Sequence, residues 1–433
     1  MRRFPIKFVI AFFVATGLLA SAPGADAATL AELLPVLVKN QKQIKAKENA
    51  VEAARELLKA ARGVWYPELN VVGNWGKEKQ NNTTGTADTE EVPRELDIKV
   101  TQMIWDFGAN NASIRIAELD LETAEIDLIL TRQALILQGI EAYLNVIRAK
   151  KVLGFSRGSV ANIKRQATLE DSRVQRGGGF TTDALQAKTQ LAGAEARRNN
   201  FAGGLRNAIN VFRRFFRVGP GDLNALQEPR VPYEMLPKSL DEVIRIMYES
   251  NPGLKNSKIA SERARMEVKQ TRANELFPKI SATAEEKRKS DVGGTIGNKN
   301  EQLFKIEFNY SLNLGLTNYN TVAAKEADLR VAIEGEVDTR HAFEQQAQDN
   351  WSNLKRDKAN IDFLKNQANI AAEFLELARR ERQLGNRSLI DVLAGETALI
   401  NANSDATAAE TDLMINVFKI LNIMGKLEAA VVK

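Results

Sequence analysis

The chain contains no cysteine, which excludes disulfides, thiolate metal sites, thiol catalysis and lipid attachment at an N-terminal cysteine. It has one histidine, His341. That residue sits in a long helical pattern with no nucleophile or metal-ligand cluster around it, and it reads as a solvated or packed helix residue. Proline is absent between Pro93 and Pro220 and again after Pro278. Beyond the N-terminal segment no apolar run reaches the roughly 20 residues that a membrane-spanning helix needs. No sign of charge dominates either. The net charge of +5 falls to +3 once Arg2, Arg3, Lys7 and Asp26 are set aside. Acidic and basic residues alternate along helical faces as solvated surface does, which gives no case for nucleic-acid binding. Carboxylates and lysines are abundant but form no constellation that would tune them for catalysis.

The N-terminal segment is read as a secretory signal. Arg2, Arg3 and Lys7 precede a short apolar run from Phe8 to Ala20, and Ala25-Asp26-Ala27 supplies a small-x-small cleavage pattern. Residues 1–27 are therefore expected to be removed, with the mature chain starting near Ala28. Since no later segment could span a bilayer as a helix, a membrane form of this protein would have to be a β-barrel.

The chain repeats itself. Leu30-Ala31-Glu32-Leu33-Leu34 resembles Leu240-Asp241-Glu242-Val243-Ile244, a shift of 210 residues. Trp65-Tyr66-Pro67-Glu68-Leu69-Asn70 resembles Leu276-Phe277-Pro278-Lys279-Ile280-Ser281 at nearly the same shift, and Gly177 and Asp183 correspond to Gly385 and Asp391. Repetition in constant order predicts two copies of one supersecondary unit: 28–218 and 240–433. Between them 219–239 carries Pro220, Pro229, Pro232 and Pro237 and reads as a linker.

Each unit has the same local grammar. Ala46 to Arg62 is rich in strong helix formers. Tyr66-Pro67 and Phe277-Pro278 end the helical segments, because proline excludes the α conformation from the residue before it. Period-two alternation then predicts strands at about 68–79 and 94–106, and at about 279–287 and 302–315. Leu69, Val71, Gly73 and Trp75 share one face, and Leu96, Ile98 and Val100 alternate with Glu95, Asp97, Lys99 and Thr101. In the last strand Phe304, Ile306, Phe308, Tyr310, Leu312 and Leu314 alternate with polar residues. Trp75, Trp105, Phe304, Phe308 and Tyr310 on the apolar faces suit a bilayer girdle, while the opposite faces suit a water-filled lumen. Hairpins packed on a soluble core are the alternative. Four strands cannot close a membrane barrel: two copies would give about eight strands and no useful pore, three about twelve. A homotrimer is the smallest assembly that makes a channel.

From Asn110 to Arg176, and again from Asn318 to Leu384, the pattern fits one nearly continuous helix, on the order of 100 Å long at about 1.5 Å per residue. Gly154 and Gly158 are its weak points. Leu354, Ile361, Ala368 and Leu375 recur every seven residues, the spacing of coiled-coil packing. Each long helix ends in a turn, Arg176 to Asp183 with Gly177, Gly178 and Gly179, and Leu384 to Asp391 with Gly385. Glycine ends a helix in a left-handed conformation and Thr or Ser near the restart can cap the next one. Both turns are expected at the end farthest from the strands. The fold class is thus mainly α with a small β part, long antiparallel coiled-coil helices and four strands per chain.

The Tyr66-Pro67 and Phe277-Pro278 junctions, the Ile104-Trp105-Asp106-Phe107-Gly108 strand exit and the two Gly-x5-Asp turns resemble the TolC family of outer-membrane efflux and secretion proteins over essentially the whole mature chain. The resemblance implies a homotrimer in the outer membrane of a Gram-negative bacterium. Its shared twelve-stranded barrel meets outer-membrane lipid and continues into a trimeric α-barrel tunnel across the periplasm. It implies no cofactor and no reaction, docking to an inner-membrane ABC or other export transporter through a periplasmic adaptor protein, and a gate at the periplasmic tip. Within that gate, Asp183 and Arg387 match the family's salt-bridging pair, and Arg382 falls where a tyrosine is often found. Asp391 matches an acidic ring position, and Ala394 falls where a second ring aspartate can occur. Asp183 and Asp391 read equally well as caps of the helices they begin. The stretch Gly177 to Lys188 resembles the branch serving type I protein secretion, with drug efflux as the alternative cargo. From a different class, a periplasmic coiled-coil scaffold would account for the helices without a barrel.

Overall fold

The computed structural model describes residues 29–81 and 88–432, so the predicted secretory segment 1–27 lies outside the described residues. Eight helices and six strands occur among the described residues. They run α1 (Leu30–Asn40), α2 (Lys42–Gly63), β1 (Glu68–Trp75), β2 (Glu78–Gln80), β3 (Thr89–Glu91), β4 (Arg94–Trp105), α3 (Ala109–Gln175) and α4 (Thr181–Phe216). After two short 3-10 turns follow α5 (Leu240–Ser250), α6 (Pro252–Leu276), β5 (Lys279–Ser290), β6 (Asn298–Asn309), α7 (Thr317–Gln383) and α8 (Leu389–Ile423).

The two long helices have 67 residues each, about 100 Å at 1.5 Å per residue. They begin and end within one residue of the sequence expectation. Gly154 and Gly158 do not interrupt α3; both stand clear of neighbouring atoms, so the missing side chains leave the hydrogen-bond ladder undisturbed. Each long helix starts at a polar side chain that ties it to the strand exit. Buried Asp106 accepts from the backbone N–H groups of Gly108 (3.0 Å) and Asn110 (2.6 Å), satisfying donors that a helix start leaves orphaned. At α7, Asn318 donates to Glu275 O at 2.9 Å and accepts from Asn313 N at 3.1 Å.

β1, β4, β5 and β6 form one antiparallel sheet in the order β1-β4-β5-β6, with β2 and β3 a separate two-stranded ribbon. The strand bounds correct the sequence reading. The first strand stops at Trp75, and 78–80 pairs separately with 89–91. β5 runs on to Ser290. β6 starts at Asn298 and stops at Asn309, leaving Tyr310, Leu312 and Leu314 in the connection to α7. There Asn313 accepts from Gly315 N at 2.7 Å and Leu316 takes φ +60°; this polar turn ends the ladder although the alternation continues.

The main core lies where the short helices meet the long ones. Leu34, Leu37, Ile140, Tyr143, Phe212, Phe216, Met247, Phe418 and Leu421 are buried in one cluster. Gly139 of α3 is part of this joint: a Cβ there would come within 2.9 Å of Leu37 Cδ1. Toward the hairpin turns the core thins to small residues, with Ala167, Ala187 and Ala194 packed with Ile163, Leu389 and Leu393. Small side chains let α3, α4 and α8 approach closely along their length.

Candidate functional site at the hairpin tips and the sheet

The two turns at the far ends of α3 and α7 are built alike. Gly177 takes φ +75° and donates to Val174 O at 3.0 Å, while Gly178 donates to Arg173 O at 3.0 Å. Gly385 takes φ +85° and donates to Arg382 O at 3.1 Å, while Asn386 donates to Glu381 O at 2.9 Å. Both are Schellman motifs, which satisfy the last helical carbonyls and reverse the chain through a left-handed residue. Gly179 answers a steric need, since a Cβ there would lie 3.0 Å from Arg173 Cβ.

Neither aspartate caps its helix. Phe180 and Ser388 occupy the cap positions. Ser388 Oγ accepts from Asp391 N at 3.2 Å, and Asp183 N donates to Phe180 O at 3.1 Å. Asp183 and Asp391 sit one turn further in, where a carboxylate is favoured by the helix dipole, and their side chains are free of the capping role.

Arg382 is the centre of the tip. Its Nη2 donates to Glu170 Oε1 at 3.0 Å and to Asp183 Oδ2 at 3.2 Å, and its Nη1 to Arg387 O at 3.3 Å. Glu170 is buried and also accepts from Arg173 at 3.2 Å. Within one chain Asp183 is therefore paired with Arg382 and not with Arg387. Arg387 turns to Glu381 at 2.8 Å and lies over the Phe374 ring at 5.2 Å. Its short tether from the turn takes it along α7, while Arg382 projects across to α3 and α4. Asp391 has no ion pair among the described residues, and Ala394 is exposed.

A second buried carboxylate escaped the sequence reading. Glu396 on α8 is buried, pairs with Arg379 on α7 and accepts from Asn162 on α3 at 3.4 Å. The available signal was positional. Glu170 follows Ile163 and Ala167 on the buried face of α3, and Glu396 follows Val392 and Leu393 on that of α8. A charged residue in an apolar register must be neutralised by a partner.

The sheet has two chemically different faces. Leu69, Val71, Trp75, Leu96, Ile98, Val100, Ile280, Ala282, Phe304, Ile306 and Phe308 share one face by register. Trp75, Trp105, Phe304 and Phe308 are all exposed there, with Trp105 brought onto it by the bulge after Met103. The other face is a lattice of ion pairs. Lys287 meets Asp97 (3.6 Å) and Glu285 (3.0 Å), Lys289 meets Glu95 (3.7 Å) and Glu301 (3.0 Å), and Lys305 meets Glu307 (2.6 Å). The twelve residues of β4 rise about 3.4 Å each, which at a tilt near 40° gives about 30 Å, the thickness of a hydrocarbon layer. Among the described residues no helix is long and apolar enough to cross a membrane.

A family model described as outer membrane efflux protein matches residues 33–214 and again residues 243–426. The chain belongs to the outer membrane efflux protein family. Its relatives in this family include the outer membrane efflux protein BepC of Brucella suis, 23% identical over 98% of this chain and 91% of that protein. The outer membrane protein TolC of Vibrio cholerae is 24% identical over 98% of this chain and 96% of its own length. The crystal structure of the Campylobacter jejuni CmeC outer membrane channel superposes with a TM-score of 0.80 at 15% identity, covering 94% of this chain and 88% of that one. A member of this efflux family sits in the outer membrane of a Gram-negative bacterium, and the family is one of channels and not of enzymes.

Proposed function

We propose that the protein is the outer-membrane conduit of a tripartite export system, a homotrimer that passes cargo from an inner-membrane transporter and a periplasmic adaptor to the exterior without supplying energy. The observation that carries this reading is a wall with two open edges. In the sheet, β1 and β6 each pair on one side only. Toward the turns the helices pack in the order α4, α3, α8, α7; on the sheet side the order is α2, α3, α6, α7. One edge of the chain is thus β1, α2 and α4, and the other is β6 and α7. A surface whose two edges differ closes by head-to-tail rotation into a ring, and three copies supply about twelve strands, enough for an open barrel.

The edges carry matching patterns. Phe363, Ile370 and Leu377 on α7 and Leu384 just past its end recur every seven residues and are exposed, Phe363 at 74% and Leu384 at 76%. On α4, Leu185, Thr189, Ala192 and Ala196 follow the same three-four spacing and are exposed. Large side chains on one edge against small ones on the other suit knobs-into-holes packing between copies. The sheet's apolar face would meet lipid through Trp75, Trp105, Phe304 and Phe308, and its ion-paired face would line the pore. Residues 28–218 and 240–433 would each supply one strand pair and one helical hairpin to the wall, joined by the linker 219–239.

The tip is the proposed gate. Arg382 holds α7 against α3 and α4 of its own chain, leaving Asp391 available to a neighbouring copy, and Arg387 if it gives up its local pair with Glu381. Adaptor docking would exchange these links for contacts with the partner. Type I protein secretion is the favoured cargo route, supported by the likeness of Gly177 to Lys188 to that branch; small-molecule efflux is the alternative. Purification from outer membranes followed by mass measurement and planar-bilayer recording tests the conduit: a trimer with discrete conductance steps is expected, and a soluble monomer without conductance overturns it. A deletion strain that loses a secreted protein without gaining drug sensitivity supports the secretion route; the reverse phenotype replaces it.

A further inference from the structure

We infer that opposite charges on the two edges at the waist of the molecule select which edge meets which when copies of this chain assemble; this rests on the ring reading above. Lys39, Lys42 and Lys45 at the junction of α1 and α2 and Arg213, Arg214 and Arg217 at the end of α4 are exposed and have no ion pair among the described residues. They belong to one edge, because the Gln41 side chain donates to Phe215 O where α2 and α4 meet end to end. The other edge is opposite in sign. Glu334, Asp338 and Asp349 of α7 are exposed and likewise unpaired among the described residues.

Most neighbouring charges on that segment are otherwise engaged, while Arg330 and Lys358 at its two ends are exposed and have no ion pair among the described residues. Glu336 accepts from Ser261 at 2.6 Å, Glu344 accepts from Tyr248, Arg340 lies over the Tyr248 ring at 5.7 Å, and Arg356 pairs with Asp357 at 2.8 Å. His341 is exposed beside them.

The two groups stand at the same height. α3 and α7 leave the sheet together and have equal length. Gly139 of α3 packs on Leu37 and Phe216, and Ala347 of α7 is buried in the same cluster as those two residues. The waist is therefore about 45 Å from the strand exits at 1.5 Å per residue. Asp338 and Asp349 continue the exposed stripe of Phe363 and Ile370 at three-four spacing, and Arg213 and Arg217 continue that of Leu185 and Ala196.

A ring needs β6 of one copy to find β1 of the next. Both are bare strands, and bare strands also pair with their own kind, which would give closed dimers with no pore. An α7 waist repels another α7 waist and attracts an α2/α4 waist, so the wrong encounters are disfavoured and the right one is steered. Single exposed pairs contribute little; the effect is one of selection and rate.

Charge exchange in the full-length protein tests this. Lys42→Glu with Arg213→Glu and Arg217→Glu makes both edges acidic, and Glu334→Lys with Asp338→Lys and Asp349→Lys makes both edges basic. Each triple variant is expected to yield about tenfold less trimer in outer membranes, and the sixfold variant, with the signs exchanged, to restore it. Trimer yields equal to the unaltered protein in both triple variants, or no recovery in the sixfold variant while its helicity is retained, overturn the inference and leave the ring reading intact. An unaltered chain that never forms a trimer removes the ring reading itself.

Discussion

Arg382 and Asp183 lie 199 residues apart in the chain and meet at 3.2 Å, with Glu170 on the same guanidinium nitrogen at 3.0 Å. One cation therefore ties α7 to both helices of the first hairpin, next to a carboxylate that is almost wholly shielded from water. Arg387, from the turn itself, makes only a local pair and an aromatic contact.

Replacing Arg382 with Ala should release the tip. It leaves Glu170 with Arg173 alone, and removing one partner of a buried charge costs on the order of 3 kcal/mol. Larger single-channel conductance in planar bilayers and a lower unfolding midpoint are expected. Arg387→Ala should cost under about 1 kcal/mol, since its carboxylate partner is exposed. A conductance change in that variant equal to that of Arg382→Ala would assign Arg387 a partner on another copy.

The turn glycines should differ from the helical ones. Gly385→Ala forces a Cβ into the left-handed region at a cost of roughly 1 kcal/mol. Gly154→Ala, in open space on the middle of α3, should stabilise by about the same amount through helix propensity. Thermal melting of the two variants in detergent should move in opposite directions.

Glu141 gives a pH dependence of known sign. Burial pushes its carboxyl above the usual range, against the lowering effect of Lys419. With the folded value raised, the charged form is disfavoured in the native state, so this group costs stability above its folded value. The cost fades as pH falls through that value toward the unfolded one. Glu141→Gln should raise the melting temperature at neutral pH, and the gain should disappear in acid below both values.

The apolar face of the sheet should reject charge. Ile306→Lys places an ammonium among Phe304, Phe308 and Ala282, where a lysine on the lipid side of a barrel costs about 2 to 4 kcal/mol near the midplane. Less protein in the outer membrane is expected. Lys305→Ile, one residue along on the ion-paired face, should leave insertion unchanged and alter ion selectivity in bilayer recordings.

The long helices were legible in the sequence because nothing in them contradicts the helical state, with no proline inside and a Schellman glycine just past each C-terminus. The sheet's faces were legible because period two cannot be imitated by a helix. The end of β6 was not, since Tyr310, Leu312 and Leu314 prolong the alternation after Asn313 has already turned the chain. At the tip, sequence reasoning brought Asp183, Arg382 and Arg387 into view but not the pairing of Asp183 with Arg382 within one chain. Which arginine reaches Asp183 depends on the azimuth of α7 against α4, a relation between elements that local patterns do not contain. Glu170 and Glu396 were missed because surface-like residues in an apolar register look unremarkable until the neighbour that neutralises them is known.

Equal length in α3 and α7 has an evolutionary consequence. The two hairpins share one depth, so a deletion in α3 alone would draw its turn away from Arg382 and slide Glu396 past Asn162. Length variation in such a chain must come in matched steps. One heptad is removed from or added to all four long helices together, changing the reach by about 10 Å each time. Comparing related chains should therefore find insertions in these segments in sets of four or not at all.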